Sequence, residues 1–284
     1  MDALTCNLFD QKQRLRAVAG YALGIVPAKD GLRLQGSRMM SRLFEELDYR
    51  ETPIGPISLR RRFQLTMKVD VFEIILGDEH LMSSLFTVSE IALAQLALDK
   101  FGSLNSDTEE QWDVVVGGLG LGYTAGKVLD YPRVGSLLVV ELLDAVADWH
   151  EAGLVPLDPP LSADSRCRVV RDDFFALAGS ESGFDETTPG RQFHAILIDI
   201  DHTPDWLLDA RSGHFYSTDG LRKLSQHLKQ GGIMGLWSDV LPDAEFLGRL
   251  SEVFAEAWAE PVTFYNPLQD STYTQTIYLA LKGV

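Results

Sequence analysis

Cysteine is scarce in this chain: Cys6 and Cys167 are the only two among 284 residues. Neither lies in a CxxC pair or at metal-ligand spacing from a histidine, so a disulfide framework and a cysteine-ligated zinc site are both excluded, and no metal is expected. Long apolar runs are also missing. Charge interrupts every hydrophobic stretch well short of the ~20 residues that a membrane-spanning helix needs. The N-terminus, Met1-Asp-Ala-Leu-Thr-Cys-Asn7, has neither the basic start nor the apolar core of a secretory signal. These absences lead to the expectation of a cytoplasmic protein without a membrane partner.

Positive charge is short as well. The chain carries 25 Lys+Arg against 41 Asp+Glu, a net charge of −16. Residues 1–105 hold 13 basic and 13 acidic side chains, so the whole excess falls after residue 105. An acidic half repels phosphate backbones and anionic membranes and attracts cations. Nucleic acid is therefore not an expected partner, whereas a cationic amine is.

The hydrophobic pattern divides the chain into three stretches. Residues 1–50 form an N-terminal helical or irregular extension, with helical spacing of apolar residues over 11–23 and 37–47. Residues 51–105 read as a small β unit plus a helix. Val69-Asp-Val-Phe-Glu-Ile-Ile-Leu76 is a strand, Gly77-Asp78 suits a hairpin, and Thr87 or Ser89 caps a helix running to about Phe101. Arg60-Arg-Arg62 reads as a solvated strand end. The polar stretch Ser103–Gln111 marks a boundary, and residues 106–284 alternate strand and helix patterns. Val114–Val116, Leu137–Val140, Arg168–Val170 and Ala195–Ile198 are apolar strand cores. A helix over about 219–228, a turn at Gln230-Gly-Gly232 and a fifth strand at Ile233–Trp237 follow. Two final strands, at Val262–Asn266 and Thr276–Lys282, suit an antiparallel pair. The fold class is α/β, a doubly wound sheet with helices on both faces.

The densest chemical signal is Trp112-Asp-Val-Val-Val-Gly-Gly-Leu-Gly-Leu-Gly122, with Glu141 at the end of the next strand, 19 residues beyond Gly122. Glycines after a buried strand let backbone amides approach a ligand closely, and an acid at the neighbouring strand tip can accept hydrogen bonds from both ribose hydroxyls. Gly120-Leu-Gly122-Tyr-Thr-Ala125 would also fit a dinucleotide. However, the second acid pair Asp172-Asp173, the Asp199-Ile-Asp201 strand end and the terminal hairpin favour an S-adenosyl ligand.

In these features the chain resembles the spermidine synthase-like, or polyamine aminopropyltransferase, branch of the class I S-adenosylmethionine-dependent methyltransferase fold. The likeness runs from about Thr52 to Lys282 through Thr-Pro-Ile-Gly-Pro, Gly77-Asp78, GGLGLG, VVEL, RDDFF, ILIDID and LKQGG. It implies a Rossmann-like methyltransferase sheet with an antiparallel C-terminal strand pair. It also implies S-adenosylmethionine or its decarboxylated form as donor, and a homodimer. By this resemblance Gly118, Gly120 and Gly122 pass close to the methionine part of the ligand. Glu141 holds the ribose, Asp172 faces the adenine amino group with Asp173 as its alternate, and Asp199 lies near the sulfonium.

The departures matter equally. Leu119, Gly120 and Leu121 stand where the branch usually has Gly-Asp-Gly, which removes a carboxylate for the aminopropyl amine. Asp199-Ile-Asp201-His202-Thr-Pro204 replaces its catalytic loop, so His202, or Asp201 with a one-residue shift, takes the place of the general base. Leu93 and Ala94 replace a polyamine-contacting Tyr-His pair. Because aminopropyl transfer needs a neutral amine and a base, whereas methyl transfer depends chiefly on positioning, these losses favour methyl transfer to a small molecule. Aminopropyl transfer from decarboxylated S-adenosylmethionine is the first alternative. A non-catalytic nucleoside-binding protein is the second.

Overall fold

The computed structural model describes residues 43–107 and 109–283. The helical spacing expected over 11–23 lies outside the described residues. Two sheets organise the rest. Strands β1 (Phe44–Arg50), β2 (Ile57–Gln64), β3 (Val69–Leu76) and β4 (Glu79–Ser83) form an antiparallel sheet in chain order, with Gly77-Asp78 joining the last two. Helical spacing fails as a guide at residues 44–47, because Phe44–Arg50 pairs with β2. The expected boundary after residue 50 therefore cuts between two strands of one sheet. The arginine triplet is not a strand end but the middle of β2. Arg60 and Arg61 face Glu46 and Glu45 across the ladder, and Arg62 pairs with Glu73 of β3 at 2.8 Å.

Helix α1 (Val88–Leu104) connects the small sheet to the large one. Neither expected cap operates: Thr87 occupies the cap position without a side-chain bond, and the Ser89 hydroxyl donates instead to the Glu90 carboxylate at 2.8 Å. The helix runs through Leu104, into the stretch that reads as a linker, because Leu98 and Phe101 are still buried against the sheet.

The large sheet contains β5 (Trp112–Gly117), β6 (Val134–Glu141), β7 (Cys167–Arg171), β8 (Phe193–Ile198), β9 (Leu228–Ser238), β10 (Glu256–Asn266) and β11 (Ser271–Leu281). Their spatial order is β10-β11-β9-β8-β5-β6-β7. Strands β5 to β9 are parallel, while β11 runs antiparallel to β9 and β10 antiparallel to β11. Side chains alternate between two cores. Val114 and Val116 pack with Leu93, Leu98 and Leu197 on one face; Val115 packs with Phe174, Phe215 and Phe246 on the other. The Gln230-Gly-Gly232 segment is no turn, since β9 continues through it and absorbs the extra residues as a register shift against β8.

Four further helices cover the faces: α2 (Tyr123–Leu129), α3 (Asp144–Glu151), α4 (Phe174–Gly179) and α5 (Thr218–Gln226), with α6 (Ala244–Ser251) following β9. The small sheet is fixed to the large layer through α3, where the Trp149 indole N–H donates to Asp48 of β1 at 2.7 Å. No described helix is long and apolar enough to cross a membrane. The chain reverses its order between β5 and β8, so the carboxyl ends of these two strands open a crevice at the point where ligands bind in sheets of this kind.

Candidate active site

At that crevice the Asp199 backbone N–H donates to the Gly117 carbonyl at 2.9 Å, and the Gly118 N–H donates to the Val140 carbonyl of β6 at 2.9 Å. The glycine loop is thus stitched to both flanking strands. Below it lies a cavity of about 350 Å³. Gly118, Leu119 and Gly120 form one wall, with Glu141 and Asp173 at the tips of β6 and β7. Asp199 and His202 follow β8, Trp237 and Asp239 end β9, and Phe264 and Tyr273 come from the terminal hairpin. The small sheet closes the remaining side with His80 and Met82 of β4. The Met82 sulfur accepts the Leu121 N–H at 2.8 Å, which ties this sheet to the glycine loop.

Glu141 is buried, and its two oxygens accept the N–H groups of Leu119 and Leu143 at 2.9 and 2.8 Å. Burial raises its pKa, and these and further backbone donors offset only part of the rise. The acid shapes the glycine loop in addition to facing the cavity. Gly122 is not on the wall. It opens α2, packed against His150 and Leu157, and the His150 Nε2 contacts the Gly120 carbonyl at 2.8 Å.

The acid pair after β7 is placed opposite to the resemblance. Asp172 is exposed, outside the lining, and accepts the Asp173 N–H at 2.7 Å. Asp173 lines the cavity and also caps α4 through Phe175 and Ala176.

The loop after β8 separates the three residues read as catalytic. Asp199 lines the cavity, accepts the Thr124 hydroxyl at 2.7 Å, and is pushed above the usual carboxylate range by burial. His202 lines it as well, stacked on Trp206 at 5.5 Å between ring centroids. Asp201 does not. Its oxygens accept Leu208 N–H at 2.8 Å and Tyr216 hydroxyl at 2.7 Å, so the one-residue shift that would make it a base is not realised: the carboxylate is spent holding its own loop.

Sequence reading missed Glu90, Met82, Asp239 and Gln275. Glu90 sits in the first turn of α1 and is 9% exposed, facing the cavity rather than solvent. An acid in a helix's first turn reads as a dipole partner, and nothing local signals its burial. Asp239 follows the Trp237-Ser238 strand end and accepts Gln275 Nε2 at 2.7 Å; its position at the end of a parallel strand was the available signal. Tyr123, the first residue of α2, also lines the cavity. Burial first, and then Glu90, push its phenol up to about 12.

No known family profile matches the chain, and no curated protein sequence matches it. Solved structures do. A spermidine synthase in complex with the transition-state analogue AdoDATO aligns with TM-score 0.58 and 17% identity, over 84% of this chain and 74% of that one. The spermidine synthase from Thermotoga maritima gives 0.58 and 16%, over 84% and 73%. A probable spermidine synthase from Corynebacterium glutamicum gives 0.55 and 15%, over 82% and 79%. The chain has the spermidine synthase-like fold, a Rossmann-like sheet with an antiparallel C-terminal pair and a small antiparallel sheet ahead of it.

Proposed function

We propose that the protein is an aminopropyltransferase that moves the aminopropyl group of decarboxylated S-adenosylmethionine to an amine. One observation carries this reading: five carboxyl side chains, Glu90, Glu141, Asp173, Asp199 and Asp239, line the cavity, and among the described residues no lysine or arginine does. The carboxylate of S-adenosylmethionine would enter such a space without a cationic partner, whereas a decarboxylated donor brings only positive groups, and so does an amine acceptor. The solved neighbours named spermidine synthases support the same direction. The sequence preference for methyl transfer rested on missing amine-binding groups. Glu90 and Asp239, contributed by elements far from the glycine motif, supply that chemistry.

The reaction asks little of the protein beyond positioning and charge. The amine nitrogen attacks the carbon attached to sulfur, the C–N bond forms, and the C–S bond breaks with its electron pair going to sulfur, leaving neutral methylthioadenosine. Asp199, at the β8 tip beside Gly118, holds positive charge where donor and acceptor meet. The glycine loop and Glu141 hold the nucleoside. The proton lost by the amine passes to a carboxylate of the cavity.

Incubation with either donor plus 1,4-diaminobutane tests the reading by product analysis. Methylthioadenosine should appear only with the decarboxylated donor, which should bind about 10–100-fold more tightly than S-adenosylmethionine, the cost of one unpaired charge. Formation of S-adenosylhomocysteine would return the assignment to methyl transfer.

Glu141→Gln should weaken methylthioadenosine binding by about 1.5–3 kcal/mol, because one oxygen that accepts a backbone N–H becomes a donor facing it. Calorimetry checks this, and unchanged affinity would remove Glu141 from the nucleoside site.

A further inference from the structure

We infer that Glu90 is the group that receives the acceptor's reacting amine, and that in the bound complex Glu90 and the amine share a single proton. The inference rests on the aminopropyl-transfer reading and specifies which cavity acid handles the nucleophile.

The geometry places Glu90 apart from the other acids. Glu141, Asp173, Asp199 and Asp239 all follow strands of the large sheet, whereas Glu90 enters from α1. Thr124 links it to Asp199: the threonine hydroxyl lies 2.7 Å from the Asp199 carboxylate and 3.2 Å from the Glu90 backbone carbonyl. Two acids are therefore anchored to one residue and open onto one space. The side-chain donor to the Glu90 carboxylate is the adjacent Ser89 hydroxyl. Around it stand Asp199 after β8, Asp239 after β9 and the Tyr123 phenol from α2, and the imidazoles of His80 and His202 line the same cavity.

A carboxylate buried among acids without a cation is costly, so it keeps a proton instead. Burial is the largest cause that raises the Glu90 pKa, and the Asp199 charge is the next. Such an acid is built to exchange its proton for a cation. When an ammonium enters, either Glu90 releases its proton and pairs with R–NH3+, or R–NH3+ releases one to solvent and Glu90 keeps its own. One proton leaves in both cases. The one that remains can move along the Glu90–amine hydrogen bond and expose the nitrogen lone pair. After the C–N bond forms and the C–S pair departs on sulfur, the product leaves as the secondary ammonium with its remaining protons, and Glu90 stays protonated, ready for the next amine.

Calorimetric titration tests this on the full-length protein saturated with 5′-methylthioadenosine. The titrant is 1,4-diaminobutane at neutral pH, in two buffers of different ionisation enthalpy, so that affinity and proton count are read together. The wild-type protein should release about one proton per amine bound. Glu90→Gln should release none and bind the amine at least about 10-fold more weakly, with methylthioadenosine affinity unchanged. Glu90→Asp should keep the release at reduced affinity. Replacing a buried acid by a neutral amide removes a desolvation cost, and retained nucleoside binding reports that the variant is folded. Amine binding without proton release in the wild type, or release undiminished in Glu90→Gln, overturns the role of Glu90 and leaves aminopropyl transfer standing. If Glu90→Gln does not fold, loss of the release in Glu90→Asp overturns it. Absence of methylthioadenosine binding to the wild type removes the aminopropyl reading itself, and this inference with it.

Discussion

Gly118→Ala is expected to abolish nucleoside binding and to destabilise the protein by about 2–6 kcal/mol, the sum of backbone strain and overpacking. A Cβ at this position would sit 2.2 Å from the Asp199 carbonyl oxygen, and Gly118 has φ of +88°, a conformation L side chains rarely adopt. The obstacle is backbone and cannot rotate away. Nor can the loop shift: Gly118 N–H is bonded to β6, and Asp199 N–H is bonded back to Gly117. Denaturant unfolding and methylthioadenosine calorimetry measure the two effects. Gly153→Ala is the control, because Gly153 has φ of +67° but nothing within 4 Å of an added Cβ. It should cost about 1 kcal/mol from strain alone. Equal losses in the two variants would show that the approach to Asp199 is not what makes Gly118 necessary.

Asp199→Asn is expected to lower kcat for aminopropyl transfer by about 10²- to 10⁴-fold while nucleoside affinity stays near the wild-type value. The amide oxygen can still accept the Thr124 hydroxyl that Asp199 holds at 2.7 Å, so local packing survives. What disappears is negative charge beside the reacting centre. The variant should also alter the pH profile in a defined direction. In the wild type, burial and then the Asp199 charge raise the Glu90 pKa, so kcat/KM should rise with pH as Glu90 loses its proton. Without the charge at position 199, Glu90 ionises at lower pH, and the ascending limb moves toward acid. A kcat within a few-fold of wild type would assign position 199 to structure, and a limb that stays in place would show that the two acids do not interact.

The parallel strands were legible because burial on both faces writes itself as unbroken apolar runs: Val114–Val116 and Ala195–Ile198 are each wholly buried or nearly so. Glycines after a strand and an acid at the next strand tip are equally local signals, and they place Gly118, Gly120 and Glu141 on the cavity wall. Reading failed where a residue's meaning depends on a partner distant in sequence. Residues 44–47 look helical by spacing but pair with β2. Asp201 and Asp199 are two positions apart on one strand end, yet Tyr216 and Leu208 capture the first and the cavity receives the second. Asp172 and Asp173 are adjacent, and only the turn into α4 decides which of them faces inward.

The sequence alone determined the doubly wound sheet, the order of its elements and the crevice at its strand tips, since hydrophobic period, glycine placement and strand-end acids act over a few residues. Tertiary structure decided the charge of the cavity. Glu90 from α1, Met82 from the small sheet and Asp239 after β9 line one cavity with Asp199 only once the distant elements that carry them are packed together. Charge in a cavity depends on everything that faces it, and no stretch of chain specifies that by itself.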